Sequence, residues 1–190
     1  MKTLSIVLVT LIFSVTGCGV SHVNFDDNYT RKQYSTPKKS SVSLCRVYIP
    51  PVKDSRPAGD ALGHASYTFL QEDNFIPWIN SAMTALDKKM FVVVEEPSKS
   101  DITLQVEAVK AYLQGLSTSR VANIVIKAHI SSVNHPQTTH VVRGNDTSVN
   151  WWGAGYEMKD SMNQAVNNIL LKLEPKLQQY CNKEMSKAAS

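Results

Sequence analysis

The sequence has little of the chemistry from which catalytic and metal-binding proteins are usually built. The 190-residue chain has three cysteines and five histidines, and no two histidines are spaced as a metal site on one helix face or strand favours. It contains neither the Gly-x-Ser-x-Gly motif of many hydrolases nor a phosphate-binding glycine loop. We therefore predict no metal, no cofactor and no enzymatic activity, and keep an enzyme as the third hypothesis.

Charge and hydropathy exclude two further classes of protein. The formal net charge is +4, and no stripe of lysine and arginine interleaved with aromatic residues marks a nucleic-acid surface. The longest apolar run falls short of the roughly 20 residues that cross a bilayer as a helix. We therefore expect no nucleic-acid partner and no transmembrane helix.

The N-terminus is typical of an exported protein that carries lipid. One lysine precedes an apolar stretch of about a dozen residues, which is the length of a signal-peptide core. The motif Val15-Thr16-Gly17-Cys18 that follows resembles the bacterial lipobox. The resemblance implies a signal peptide over residues 1–17, cleavage before Cys18 and acyl chains such as palmitate on that cysteine. Because Gly19 and not aspartate follows, it also implies the outer membrane, on its periplasmic face.

Two cysteines remain once Cys18 carries lipid. They are Cys45, where the first predicted strand begins, and Cys181, at the end of the last predicted helix. The periplasm is oxidising, which favours a disulfide bond between them over two free thiols. Such a bond would enclose nearly the whole domain and stabilise it by about 4 to 5 kcal/mol in the chain-entropy model.

Composition divides the mature chain into a linker, one domain and a tail. Residues 18–43 are polar and predict a flexible linker that holds the domain about 25 to 30 Å from the membrane. Residues 44–182 contain the apolar patterns of one periplasmic domain. Residues 183–190 are polar and predict a C-terminal tail.

The apolar periodicity of the domain predicts an α+β fold. Residues 77–89 and 156–180 each show one apolar stripe at helical spacing, with Pro175 expected to kink or restart the second helix. Alternation predicts strands, and the uninterrupted apolar run at 91–95 predicts a strand covered on both faces. The predicted strands are 44–49, 91–95, one from Ile102, 122–130 and 138–150. We therefore expect a mostly antiparallel sheet with two amphipathic helices packed on one face.

Several short segments resemble a known family. These are the loop from Val52 to Gly63, the strand opening Ser100 to Val106, the pair Arg143-Gly144 and the region of Trp151. Together they resemble the YajG-like family of small periplasmic lipoproteins and, more loosely, the auxiliary lipoproteins of lipid-transporting ABC systems. The resemblance extends from about Cys45 to Leu177 and implies no established chemistry.

Two places in the sequence are candidates for contact with a partner. Asp54 and Arg56 lie in a loop rich in glycine and proline, where they either grip a partner or, as we favour, pair with each other. Trp151, Trp152 and Tyr156 form the richest aromatic cluster, and such residues dominate interface hot spots. Strand alternation places the two tryptophans on opposite sides, so either one is exposed or both are buried.

These features lead to two hypotheses of function besides the enzyme. The leading one is a non-enzymatic accessory or scaffold lipoprotein, bound to the membrane through its N-terminal lipid and to another envelope protein through its domain. The alternative is a carrier of lipid or of a small ligand that works as the auxiliary lipoprotein of an ABC transport system.

Overall fold

The computed structural model describes residues 20–25, 29, 31, 44–58, 62–65, 68–149 and 155–188. The predicted signal peptide and Cys18 lie outside this part of the chain. A 3₁₀ turn, Pro97–Lys99, precedes the long strands. The strands and helices, in chain order, are β1 Val20–Asn24, β2 Cys45–Tyr48, β3 Lys53–Asp54, β4 Gly63–Ala65, β5 Thr68–Asp73, α1 Phe75–Thr84, β6 Phe91–Val94, β7 Ile102–Gly115, β8 Ser119–Ser131, β9 Thr138–Val149 and α2 Gly155–Ala188.

In the described part of the chain, the strands form one nine-stranded sheet built around β7. Along one side of β7 lies β8, antiparallel, and β9 continues this meander. Along the other side lie β2, β3 and β4, one after another and all parallel to β7. Next, β6 pairs in parallel with β2, β5 pairs antiparallel with β4, and β1 pairs in parallel with β5.

The α+β class with two helices is confirmed, whereas the prediction of a mostly antiparallel sheet is wrong, because the sheet is mixed. Pro50-Pro51 and the loop after them interrupt the segment that follows β2. The strands β3 and β4 are too short to show alternation, so they left no strand signal. In β5 the two apolar residues, Phe69 and Leu70, are adjacent, so no alternation appears there either. The strand β6 is also not covered on both faces, since Val92 and Val93 are exposed at the edge of the sheet.

Both helices contribute to one core against the inner face of the sheet. Alternate residues of β7 and β8 are buried along the full length of these strands. Trp78 of α1 is fully buried, and its Nε1 donates a hydrogen bond to Asn163 Oδ1 of α2 at 3.3 Å. The helix α2 continues through Pro175 to Ala188, so the predicted tail is helical over most of its length. No helix in the described residues is both long enough and apolar enough to cross a membrane.

The predicted disulfide bond between Cys45 and Cys181 is confirmed. The two Cα atoms lie 5.9 Å apart, within the range that a disulfide requires. Both residues are buried in the core. The bond therefore fastens the first residue of β2 to the last part of α2.

The N-terminal segment packs against the domain, so the predicted flexible linker over residues 18–43 is wrong for those of its residues that are described. The strand β1 is part of the sheet, and Phe25 is fully buried with its ring 4.5 Å from that of Trp78. Further along, Arg31 forms an ion pair with the buried carboxylate of Glu174. The polar composition hid this packing because a few aromatic contacts suffice to hold so short a segment.

A buried polar network fastens the start of α2 to the start of β8. The guanidinium of Arg120 lies 2.5 Å from the Glu157 carboxylate. It also donates hydrogen bonds to Ser161 Oγ at 3.3 Å and to Ser148 Oγ at 3.2 Å. All the charge buried at this point is therefore paired, as burial requires.

Gly144 lets α2 approach β9 closely. A Cβ atom at this position would lie 1.8 Å from the carbonyl oxygen of Ala165, which is backbone and has no rotamer to change. We expect Gly144→Ala to destabilise the domain by about 1 to 3 kcal/mol, because the helix has to shift away from the sheet. Urea unfolding measures this change, with Thr147→Ala on the exposed side of β9 as the control. Equal stability of the two variants would contradict the close packing.

Candidate functional site

The candidate site is the outer face of the sheet, which we define as the face opposite the helices. In β8 and β9 the odd-numbered side chains project to this face, while the even-numbered ones face the helices. Val141, near the middle of β9, is largely exposed there. Because α1 and α2 both pack against the inner face, no helix among the described residues covers the outer face.

The centre of the outer face is rich in positive charge. In the sheet register, Lys127 lies between Glu107 of β7 and Val141 of β9. One step along the strands, Lys110 and Arg143 flank Val125. On the other side of β7, Lys53 pairs with Glu107. We call these four cations, Lys53, Lys110, Lys127 and Arg143, the basic centre.

A histidine and a carboxylate meet at the edge of the basic centre. His129 Nε2 lies 3.8 Å from Glu107 Oε1, and His129 Nδ1 lies 2.8 Å from Thr139 Oγ1. Lys53 Nζ approaches the same carboxylate oxygen at 3.5 Å. Both His129 and Glu107 are mostly buried by their neighbours, so the group is held in place by the sheet.

This group has the residue types of a hydroxyl, histidine and carboxylate triad but not its spacing. A triad needs a hydrogen bond between the histidine and the carboxylate, and 3.8 Å is too long for one. In the described residues, no group of three or more histidine, cysteine, aspartate or glutamate side chains is placed to hold a metal ion. What this geometry provides is a fixed pattern of charge and hydrogen-bonding groups, which suits recognition.

The other histidines lie in separate surroundings. His22 Nδ1 is 3.2 Å from an Asp73 carboxylate oxygen near the N-terminal edge of the sheet. His64 contacts Tyr112, and His135 lies beside Glu184. Burial, assisted by the charge of Lys176, lowers the pKa of His140. Each of these histidines is engaged locally, and the fold does not bring them together.

The predicted contact residues Asp54, at the end of β3, and Arg56, in the loop that follows, are bound to each other. Arg56 donates hydrogen bonds to both Asp54 oxygens, at 2.9 and 2.8 Å. It also pairs with Glu72 at 2.5 Å and lies over the ring of Phe75 at 4.2 Å. The hydrogen bonds from Arg56 hold the pKa of Asp54 below its usual value. Arg56 therefore pins the loop to β5 and α1, and only Asp54 remains exposed.

The other predicted site residues are Cys18, Trp151, Trp152 and Tyr156. Cys18, Trp151 and Trp152 lie outside the described residues, and for Tyr156 only the backbone at the start of α2 is described. Their roles in lipid attachment and partner contact stay predictions.

Part of the outer face was indicated by the sequence. The alternation in β8 already placed Lys127 and His129 on a solvent-facing side. It did not indicate that Glu107 lies beside them, because this depends on the register between β7 and β8. Nor did any sequence signal show that Lys53 belongs to the sheet, since β3 has two residues only.

The fold and the outer face together define a class: a small α+β domain whose mixed sheet is covered by helices on one face and open on the other. The crystal structure of protein XCC0632 from Xanthomonas campestris, of family DUF330, has this fold. It superposes with a TM-score of 0.60 at 11% sequence identity, over 87% of this chain and 99% of that chain. The likeness is therefore one of fold.

Two further solved structures are similar to the chain. The hypothetical protein CT253 from Chlamydia trachomatis has a TM-score of 0.52 at 8% identity, over 73% of this chain and 98% of its own. The lipoprotein GNA1162 from Neisseria meningitidis has a TM-score of 0.38 at 12% identity, over 65% of this chain and 99% of its own, which is too low to establish a shared fold. No protein-family model and no curated protein matches the sequence. Membership of the YajG-like family therefore stays a prediction.

Proposed function

We propose that the mature protein is a lipoprotein, anchored through Cys18 to the periplasmic face of the outer membrane, whose domain binds another envelope protein without catalysing a reaction. The observation that carries the proposal is the basic centre on the open outer face. The lipobox-like motif supports the anchor, and the buried disulfide bond suits an oxidising compartment.

The chemistry of the outer face favours a partner with an acidic surface. The basic centre holds four cations around one carboxylate, that of Glu107, so its field is positive. Complementary charge steers encounter and fixes the register of a complex. Val141 supplies an apolar contact at the middle of the face, and the long strands β7, β8 and β9 fix the backbone of Val141, Lys110, Lys127 and Arg143. Binding then has to order side chains but not the backbone of these strands.

Binding in place of catalysis is supported by the spacing within the outer face. His129 and Glu107 are too far apart to act as a hydrogen-bonded pair, and Thr139 is engaged with His129. The same groups offer a donor and acceptor pattern to a protein surface. The outer face therefore has what recognition needs and not what a triad needs.

The test is crosslinking in intact cells, with a photoreactive amino acid in place of Val141. We expect an adduct with a second envelope protein. Reversing two charges, by Lys127→Glu with Arg143→Glu, is expected to reduce its yield about tenfold or more, since each interfacial charge contributes about 1 kcal/mol. The control variant, Lys88→Glu with Lys89→Glu, makes the same change of charge on exposed residues between α1 and β6 and should leave the yield unchanged.

Two outcomes would contradict this proposal. If both charge variants reduce the adduct equally, net charge and not the outer face controls the contact. If no protein is captured and native mass spectrometry of the intact protein shows retained phospholipid, the carrier hypothesis replaces the accessory role.

A further inference from the structure

Four exposed apolar side chains lie at one end of the sheet. They are between 43 and 56% exposed, and exposed apolar side chains that share one part of a surface mark an interaction site. We call them the apolar rim: Val20, Phe69, Leu116 and Val149.

The sheet register shows that the two N-terminal members of the rim are neighbours. Val20 is the first residue of β1 and pairs directly with Phe69, the second residue of β5. Phe69 in turn pairs with His64 of β4, and His64 pairs with Gln114 of β7. This row of paired residues therefore crosses the sheet from β1 to the last residues of β7.

The other two members lie at the same end. Leu116 follows β7 directly, and its backbone N–H donates to the carbonyl of Ser119 at 2.7 Å, which closes the turn into β8. Ser119 pairs with Val149 at the end of β9. From β1 to β9 the rim extends about 20 to 25 Å, at the usual spacing of about 4.8 Å between strands. The turn 115–119, which contains Leu116, has no charged residue.

The predicted lipid anchor lies next to this rim in the covalent chain. A single residue, Gly19, separates Cys18 from Val20. Two residues span at most about 7 Å, so the acylated cysteine and the start of β1 stay close together whatever backbone conformation links them. Because β1 and β5 lead away from this end in parallel, most of the domain lies beyond the rim, on the side away from the anchor.

We infer that the apolar rim rests on the phospholipid surface in which the anchor is embedded. This inference rests on the proposed lipidation of Cys18. Phe69 and the aliphatic side chains occupy the boundary between headgroups and acyl chains, where peripheral proteins bury phenylalanine and leucine side chains. The strands then stand steeply on the membrane, and the basic centre faces sideways into the periplasm, where a partner reaches it. The domain is held at the membrane and not at the end of a long linker.

The test uses three variants of the full-length lipidated protein, each with one fluorescent label on one introduced cysteine. The variants are Leu116→Cys, Val141→Cys and Val133→Cys. Each protein is reconstituted into vesicles of phosphatidylethanolamine and phosphatidylglycerol with brominated or ordinary acyl chains. Bromine quenches a label in contact with the acyl chains. We expect at least twofold quenching at position 116 and none at the other two. Val133 is the control, 95% exposed and beyond the far end of the 13-residue strand β8, about 40 Å away.

The three labels separate the alternatives. Quenching at 116 and 141 alike would mean that the whole outer face lies flat on the membrane, and equal emission at all three positions would mean that the domain does not touch it. Either result overturns the inference. Mass spectrometry of the N-terminal peptide tests the anchor separately: a mature protein without acyl chains on Cys18 refutes the proposed function itself, whereas an acylated protein with no quenching at 116 refutes only the rim.

Discussion

Replacing both bridge cysteines, as Cys45→Ala with Cys181→Ala, is expected to lower the melting temperature of the domain by about 10 to 20 °C. The bond joins residues 136 positions apart. In the chain-entropy model, closing a loop of that length stabilises the folded state by about 5 kcal/mol. For a domain of this size, each kcal/mol corresponds to about 2 to 4 °C. The effect is large because the bond closes a loop that contains most of the domain.

The measurement is thermal unfolding followed by circular dichroism, with and without a reductant. Reductant should lower the melting temperature of the wild-type protein toward that of the double variant and leave the variant itself unchanged. The single variants, Cys45→Ala and Cys181→Ala, should resemble the double variant, since either one removes the bond. A double variant that melts within about 2 °C of the wild-type protein would show that the bond does not constrain the unfolded chain.

The elements that the sequence predicted well are those that carry their own periodicity. In β7, β8 and α2 the apolar positions repeat over many residues, so the pattern identifies both the element and its buried face. The disulfide bond was predictable for a different reason. Its cysteines flank the domain in sequence, and chain termini of single domains often lie close together.

The elements that the sequence did not predict are held by distant partners. The strands β3 and β4 are short, and they are strands because β7 offers its parallel edge to them. Likewise β1 is a strand because β5 lies beside it. No local pattern encodes such pairing, since its free energy comes from hydrogen bonds and packing with residues far away in the chain.

The same distinction applies to the candidate site. Alternation identified which side chains of β8 face solvent, but neither the basic centre nor the apolar rim is a property of one segment. Lys53 joins the basic centre through β3, and the rim combines residues from β1, β5, β9 and one turn. The loop pair of Asp54 and Arg56 was foreseen as internal, whereas its third member, Glu72, belongs to a strand that left no signal.

The N-terminal segment is fastened to the domain at a second point, beyond β1, by the carboxylate of Glu174. This carboxylate is almost fully buried and receives two hydrogen bonds from Arg31, a bidentate arrangement. It also accepts the backbone N–H of Asp87 at 2.8 Å, and Arg31 donates to the Ala85 carbonyl at 3.2 Å. The hydrogen bond to Glu174 raises the pKa of Arg31, so Arg31 stays charged. Glu174 thus joins α2, the loop after α1 and the N-terminal segment.

Glu174→Ala is expected to destabilise the domain by about 3 kcal/mol, because it leaves the half-buried Arg31 without its counter-charge and the Asp87 N–H without an acceptor. Urea unfolding measures the loss, with the exposed Glu95→Ala as the control, expected to change stability by less than about 0.5 kcal/mol. Hydrogen exchange shows where the loss occurs. The amide of Phe25 donates to the Asp73 carbonyl at 3.1 Å. Compared with the wild-type protein, the exchange rate of this amide should rise in the variant more than the exchange rates of amides in the centre of β8. Unchanged protection of Phe25 would show that Arg31 does not hold the segment in place, and that aromatic contacts with Trp78 alone keep β1 on the sheet.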